Sequence, residues 1–222
     1  MRRYLRFLRP NGLSEQTDRD RTRNSRRYGK RAAPGTDVAG YVRCASAIWL
    51  SAYISQEYSR KGKTTAAMGL ALRAAGAGKK VLILQFMKGR DTGELHSIAY
   101  IPAIRILRSE KDFGFFSSMS QADKEALTKI HNRLLDEAVR QASAGEAELL
   151  ILDEVTYPVN WGLLDVDKLK DFLKEKPEEL ELVCTGRDAA DFIVDAADYI
   201  TEMRCIRHPF EKGIPARKGV EF

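Results

Sequence analysis

Two rhythms of apolar and polar residues run along the chain after residue 40. Val81-Leu82-Ile83-Leu84-Gln85-Phe86 and Glu148-Leu149-Leu150-Ile151-Leu152-Asp153 are almost continuous apolar runs, as in strands covered on both faces. Leu180 to Cys184, Tyr199 to Met203 and Ile104 to Leu107 predict further strands. Ile48, Trp49, Leu50, Tyr53 and Ile54 predict one more within residues 41–55. Between these runs the period changes. Ala126, Leu127, Ile130, Leu134, Leu135, Ala138 and Val139 form an i, i+3, i+4 stripe, predicting a helix from about Ser120 to Ala144. Ser120 and Asp123 make a capping pattern at its start. An Ala- and Leu-rich helix is predicted from Lys63 to about Ala77, stopped by Gly76-Ala77-Gly78. Asp165 caps a short helix that ends before Pro177, and Ala189 to Ala197 forms the last. The rest of residues 87–119 reads as irregular. Strands alternating with helices predict an α/β fold of three layers around a mostly parallel sheet.

Residues 1–40 carry no such period and contain Pro10, Pro34, Gly12, Gly29 and Gly35. They read as a basic tail, with one α/β domain over residues 41–222. The charge supports this division. The 222-residue chain has a formal net charge of +6, but residues 1–34 hold 11 basic and 3 acidic side chains, while the remainder holds 26 and 28. The positive balance therefore belongs to the tail, and a nucleic-acid partner is not expected of the domain. Glu15, Asp18 and Asp20 count against a transit peptide. No apolar run approaches the roughly 18–20 residues of a membrane span. The three cysteines, Cys44, Cys184 and Cys205, are scattered without metal spacing. That usage excludes a disulfide scaffold and fits a cytoplasmic protein.

Candidate chemistry sits at the junctions of the pattern. Lys61-Gly62-Lys63-Thr64-Thr65 lies between a predicted strand and helix, where the end of a phosphate-binding loop belongs. Backbone N–H groups and the helix dipole there attract phosphate oxygens, the Lys63 ammonium reaches them, and the Thr64 hydroxyl suits Mg²⁺. The second piece lies 90 residues on: the strand that ends in Asp153-Glu154 has the form of a Walker B segment, whose carboxylates hold Mg²⁺ directly or through water. Each piece alone has an ordinary alternative, a basic helix start or a strand ending in solvated acids. Together they predict a P-loop NTPase-like, RecA-like sheet. Arg187, in Thr185-Gly186-Arg187 after another strand, stands at the same sheet edge and can pair with phosphate. Phe113-Gly114-Phe115-Phe116 is an aromatic cluster in a loop, either a small core or a platform for a flat ligand.

From Lys61 onward the chain resembles the corrinoid adenosyltransferase family of the P-loop class. The resemblance rests on several segments in order: Gly62-Lys63-Thr64-Thr65-Ala66-Ala67-Met68-Gly69-Leu70-Ala71, Gln85-Phe86-Met87-Lys88-Gly89 with Gly93-Glu94, Gly114-Phe115, Leu152-Asp153-Glu154-Val155-Thr156-Tyr157, Thr185-Gly186-Arg187, and Thr201-Glu202-Met203 with His208-Pro209-Phe210 and Lys218-Gly219-Val220-Glu221-Phe222. The resemblance implies transfer of the 5′-deoxyadenosyl group of ATP to a cob(I)alamin-type corrinoid, with release of triphosphate, in adenosylcobalamin synthesis or salvage. It implies a catalytic role for Lys63, nucleotide contacts from Lys61, Gly62, Lys63, Thr64, Thr65, Glu154 and Arg187, and Mg²⁺ or Mn²⁺ held near Thr64, Asp153 and Glu154. Phe115 matches the aromatic that helps displace the corrinoid's lower axial ligand. A second aromatic, Trp in some members, is Ser117 here, so Phe116 is the candidate replacement. A flavin-type reductant and a homodimer are further expectations. The alternatives are a RecA-like ATPase or kinase, which would share the Walker segments, and a degenerate nucleotide- or corrinoid-binding protein without turnover.

The chain departs from the family at the first half of the phosphate loop. Tyr58 and Arg60 stand where the family has glycine, and the longer P-loop pattern would place glycine at Glu57. A side chain forced to positive φ costs roughly 1–2 kcal/mol, and bulk over the phosphates adds to it. Arg60 offsets part of this by pairing with phosphate. The double change Tyr58→Gly plus Arg60→Gly is expected to tighten Mg-ATP binding about tenfold in isothermal titration. Weaker binding by the double variant would show that the loop works as written.

Overall fold

The computed structural model describes residues 48–52, 62–203, 206–207 and 209–220. Six strands form one sheet: β1 (Ile48–Ala52), β2 (Val81–Gln85), β3 (Ile104–Arg108), β4 (Leu149–Asp153), β5 (Glu181–Thr185) and β6 (Tyr199–Glu202). Their order is β3-β2-β4-β5-β1-β6 and every pairing is parallel. The helices are α1 (Lys63–Gly76), α2 (Gly93–Ile98), α3 (Gln121–Ser143), α4 (Thr156–Asn160), α5 (Val166–Glu175) and α6 (Asp191–Ala196).

The three layers follow from the strand alternation. All five residues of β2 and of β4 are buried, as a sheet with helices on both faces requires. Val81, Ile83, Leu149, Ile151 and Val183 point to one side and pack with Ala67 and Ala71 of α1. Leu82, Leu84, Leu150, Leu152, Leu182 and Cys184 point to the other and meet Leu135 and Ala138 of α3, Leu169 and Phe172 of α5, and Ile193 of α6. The two alanines of α1 let that helix lie close on the sheet, which fixes where its N-terminus ends up.

The register then decides what lies at the carboxyl edge. Gln85 of β2 pairs with Asp153 of β4, Leu152 of β4 with Cys184 of β5, and Ser51 of β1 with Thr185 of β5. Gln85, Asp153 and Thr185, the last residues of their strands, therefore end at one level, and all three are buried. Ligands of open α/β sheets bind at this edge.

The expected elements occur within a few residues of their predicted bounds. The capping of α3 is as read, with Ser120 Oγ accepting from the Asp123 backbone N–H, and Asp165 caps α5 by accepting from Lys168. The strand expected within residues 41–55 is described only over Ile48–Ala52; the tail boundary near residue 40 lies outside the described residues. Two short helices were not predicted. Six-residue α2 buries none of its residues, so it leaves no periodic trace. Five-residue α4 carries Pro158, which reads as a helix breaker but is tolerated in a first turn, where its missing N–H costs nothing.

One core group makes the fold sensitive to acid. His131 of α3 is 1% exposed, its Nδ1 lies 3.2 Å from the Leu163 carbonyl, and its ring meets Phe86 edge-on at 5.2 Å. Burial pushes the imidazole down to about 4, with the Leu163 carbonyl acting weakly the other way. The folded pKa is below the unfolded one, so protonation favours unfolding. Stability is intact above about pH 6.5 and falls as the pH drops toward 4, by at most about 3 kcal/mol from this group. Chemical denaturation at stepped pH is expected to show a shallower decline over that window for His131→Leu than for the unmodified chain. Parallel declines would remove His131 from the account.

Candidate functional site

Helix α1 opens on glycine. Gly62 is the N-cap residue at φ 115° and ψ −28°, and its carbonyl accepts the first helical bond from Ala66 N–H at 2.7 Å. A Cβ at this position would lie 3.2 Å from the Met203 sulfur. The positive φ makes glycine the fitting residue at the turn. It delivers Lys63 and Thr64 into the first turn, at the end of the helix whose dipole favours anions. Lys63 is buried, Thr64 partly buried and Thr65 exposed. Lys61 lies outside the described residues, as do Tyr58 and Arg60.

The centre of the site is the Asp153 carboxylate, which has no solvent exposure. Oδ1 accepts from Thr64 Oγ1 at 3.0 Å and from Thr185 Oγ1 at 2.8 Å. Oδ2 accepts from Lys88 Nζ at 2.6 Å and, at the long limit of 3.5 Å, from Gln85 Nε2. A buried carboxylate is tolerable only when its lone pairs are met in this way. The four donors come from four elements, α1, β5, the loop after β2, and β2 itself, so one side chain gathers the carboxyl edge of the sheet around the start of α1. Lys88 Nζ also lies 3.1 Å from Thr64 Oγ1, closing a Lys88–Thr64–Asp153 triangle.

Thr185 passes the connection on by accepting from the Glu154 backbone N–H at 2.9 Å. Glu154 adopts φ 64°, a left-handed conformation that turns the chain sharply out of β4. Burial raises its carboxyl above the ordinary range, and Asp153 adds to the rise, while Lys88, Lys63 and Arg187 oppose it. All four charged groups are thus within electrostatic reach of Glu154. The Thr185-Gly186-Arg187 turn is locked against α4: Arg187 N–H donates to Thr156 Oγ1 at 2.7 Å. A Cβ on Gly186 would come within 1.9 Å of that same oxygen, so only glycine permits the approach. Burial pushes the Tyr157 phenol above its ordinary range, with the nearby Arg187 guanidinium acting the other way. Arg187 Nε is a buried donor without a partner among the described residues.

The structure therefore brings Gly62, Lys63, Thr64, Asp153, Glu154 and Arg187 to one end of the sheet. Phe115 belongs to a neighbouring loop. It is 75% exposed and leads into a 3₁₀ turn at Phe116–Ser118. Phe116 is engaged elsewhere: its ring stacks on Trp161 at 4.5 Å with 12° between planes, and Lys124 Nζ sits 4.5 Å from its centroid. Phe115 is thus the exposed ring of the pair. The two loops meet at a recess lined by Lys88, Gly89, Lys111, Phe113, Gly114 and Met119. At their junction a Cβ on Gly89 would lie 2.5 Å from Asp112 Cα, and Arg90 pairs with Asp112 at 2.6 Å.

A model of the family described as ATP:corrinoid adenosyltransferase BtuR/CobO/CobP matches residues 59–222. The chain belongs to this family. Among its relatives, the corrinoid adenosyltransferase of Escherichia coli K12 is 31% identical over 168 residues, covering 73% of this chain and 81% of the relative. Those of a Sinorhizobium species and of Pseudomonas aeruginosa are each 34% identical, over 173 and 167 residues, covering 73% of this chain and 76% and 79% of theirs. The matched region takes in α1 and every strand after β1, so the Asp153 cluster lies wholly within the family portion of the chain.

Sequence motifs point to only part of this site. Lys88, Gln85, Thr185 and Thr156 lie inside the family-like segments but carry no motif role of their own. The available signal was geometric: Gln85 and Thr185 end strands that flank β4, and a buried carboxylate at the end of β4 needs donors from its neighbours.

Proposed function

We propose that this chain transfers the 5′-deoxyadenosyl group of ATP to the cobalt of a reduced corrinoid and releases triphosphate. The observation that carries the reading is the Thr64–Asp153–Lys88 cluster at the opening of α1, found in a chain of the corrinoid adenosyltransferase family. In the reaction cobalt(I) attacks the ribose 5′ carbon, the Co–C bond forms as the C5′–O bond breaks, and the electron pair leaves on triphosphate. Cobalt rises formally from I to III. The nucleophile carries its own electron pair, so no protein base is needed.

The protein's task is to hold and neutralise the leaving group and to aim the ribose. Lys63, at the start of α1, directs its ammonium at the phosphates, and the backbone N–H groups of Gly62 to Thr65 supply dipoles. Arg187 adds a cation whose Nε has an unused donor. A divalent cation, Mg²⁺ or Mn²⁺, supplies further charge neutralisation on the triphosphate. The residues fit it: the Thr64 hydroxyl and the Asp153 carboxylate are adjacent hard oxygens, with Glu154 beside them. Among the described residues no group of three or more His, Cys, Asp or Glu is placed to hold a metal by itself. The remaining oxygens would come from nucleotide and water, the usual arrangement for a phosphate-bound Mg²⁺. Phe115, exposed at the mouth of the second loop, meets the corrinoid and disfavours its lower axial ligand. Reduction to cobalt(I) comes from a flavin-type partner, and the working form is a homodimer.

Lys63→Ala is expected to lower adenosylation of chemically reduced cobalamin by about 10²–10³-fold, because it removes a cation aimed at developing charge. The phosphorus product with the unmodified chain is expected to be triphosphate, resolved by ³¹P NMR. Diphosphate or orthophosphate as the direct product would identify an ATPase or kinase instead. An unchanged rate for Lys63→Ala would detach the triphosphate from this helix start.

A further inference from the structure

Lys88 presents a conflict that the proposed reaction does not resolve. Its ammonium lies 2.6 Å from Asp153 Oδ2 and 3.1 Å from Thr64 Oγ1. These are the same two side chains whose oxygens suit a divalent cation. A Mg²⁺ ion bonds oxygen at about 2.0–2.1 Å and carries two charges. The Lys88 ammonium already takes a lone pair of Thr64 Oγ1 and of Asp153 Oδ2, so a metal approaching these oxygens competes with it for them and is repelled by its charge. Metal binding therefore favours displacement of the ammonium.

We propose that Lys88 is the resident counter-ion of the nucleotide site, holding the place of the divalent cation until metal and nucleotide arrive and then exchanging with it. This rests on the reading of the cluster as a nucleotide site. Before metal or nucleotide binds, a carboxylate with no solvent exposure needs a compensating charge, and the Lys88 ammonium is in direct contact with it. Lys88 is equipped for exchange in a way Lys63 is not. It stands in the loop after β2, its side chain keeps 17% of its exposure, and it lines the recess shared with Gly89 and Phe113. The displaced ammonium therefore has water and open space beside it, on a stem of four flexible carbons. Gln85 and Thr185, which hold the other positions around Asp153, sit on strands and stay in place during the exchange. Lys88 is accordingly a positioning residue. It keeps Thr64 and Asp153 facing each other before the ligand binds, and it sets the metal concentration at which they are taken over.

The test is the dependence of the fold and of ATP binding on Mg²⁺ in Lys88→Met, which keeps the length of the stem and removes the charge. Without metal or nucleotide, Lys88→Met is expected to melt several degrees below the unmodified chain, because Asp153 loses its compensating charge. Millimolar Mg²⁺ alone is expected to recover much of that difference while leaving the unmodified chain almost unmoved. In isothermal titration, the Mg²⁺ concentration that gives half-maximal ATP binding is expected to fall about tenfold in the variant. Equal Mg²⁺ responses in the two proteins would overturn the exchange, since a merely structural lysine would lower stability without changing the metal dependence. If Lys88→Met does not fold, Lys88→Gln, which keeps N–H donors without charge, gives the same comparison. The melts with Mg²⁺ alone need no nucleotide, so absence of ATP binding would count against the nucleotide reading while the melts still decide the exchange.

Discussion

The Asp153 carboxylate is the constraint on which the arrangement of this molecule depends. It stands at the end of a central strand, sealed from water, and must have its charge and lone pairs met by protein groups. Thr64, Thr185, Lys88 and Gln85 meet them, and each comes from a different element. Satisfying one buried charge thereby fixes how α1 approaches the sheet, how far β5 extends, and where the loop after β2 turns. Apolar packing alone sets none of these to within an ångström. Val81, Ile83 and Ile151 would pack against Ala67 and Ala71 over a range of small shifts of α1 along the sheet. The hydrogen bond from Thr64 to Asp153 selects one of them.

The same cluster links fold to chemistry. A helix N-terminus attracts anions, a buried carboxylate attracts cations, and an ATP-Mg²⁺ complex offers both. Placing Gly62, Lys63 and Thr64 against Asp153 joins the two preferences within one hydrogen bond's length. The left-handed turn at Glu154 and the close approach of Gly186 to Thr156 then carry Glu154 and Arg187 to the rim of the same edge. Strained or Cβ-intolerant positions gather where strands end, which is where a parallel sheet binds its ligands.

Much of the fold was legible because parallel strands covered on both faces write long apolar runs, and β2 and β4 are such runs. Helix α3 was legible from its stripe and its Ser120 cap. Short elements were not: α2 buries nothing, and α4 hides behind Pro158. Within the site, Lys63, Thr64 and Asp153 were readable as motif residues with the chemistry that phosphate and Mg²⁺ need. Lys88 was not, because a lysine in a loop has no pattern of its own. Its meaning comes from parallel pairing that brings the end of β2 beside the end of β4, a contact made across 65 residues of sequence. Thr185 was hidden for the same reason. Its hydroxyl could as well have faced solvent, and only the pairing of β5 with β4 turns it toward Asp153.

The most direct test of this account is the stability and ligand binding of Asp153→Asn. The amide keeps the size of the side chain but removes its charge and turns one acceptor into a donor facing hydroxyl and ammonium donors. Loss of the buried ion pair is expected to destabilise the ligand-free protein by about 2 kcal/mol in chemical denaturation, since Lys88 can retreat partly to water and soften the full cost of an unpaired charge. Mg²⁺-dependent tightening of ATP binding is expected to disappear. A variant as stable as the unmodified chain, with its Mg²⁺ dependence intact, would contradict the claim that this carboxylate organises both the sheet edge and the site.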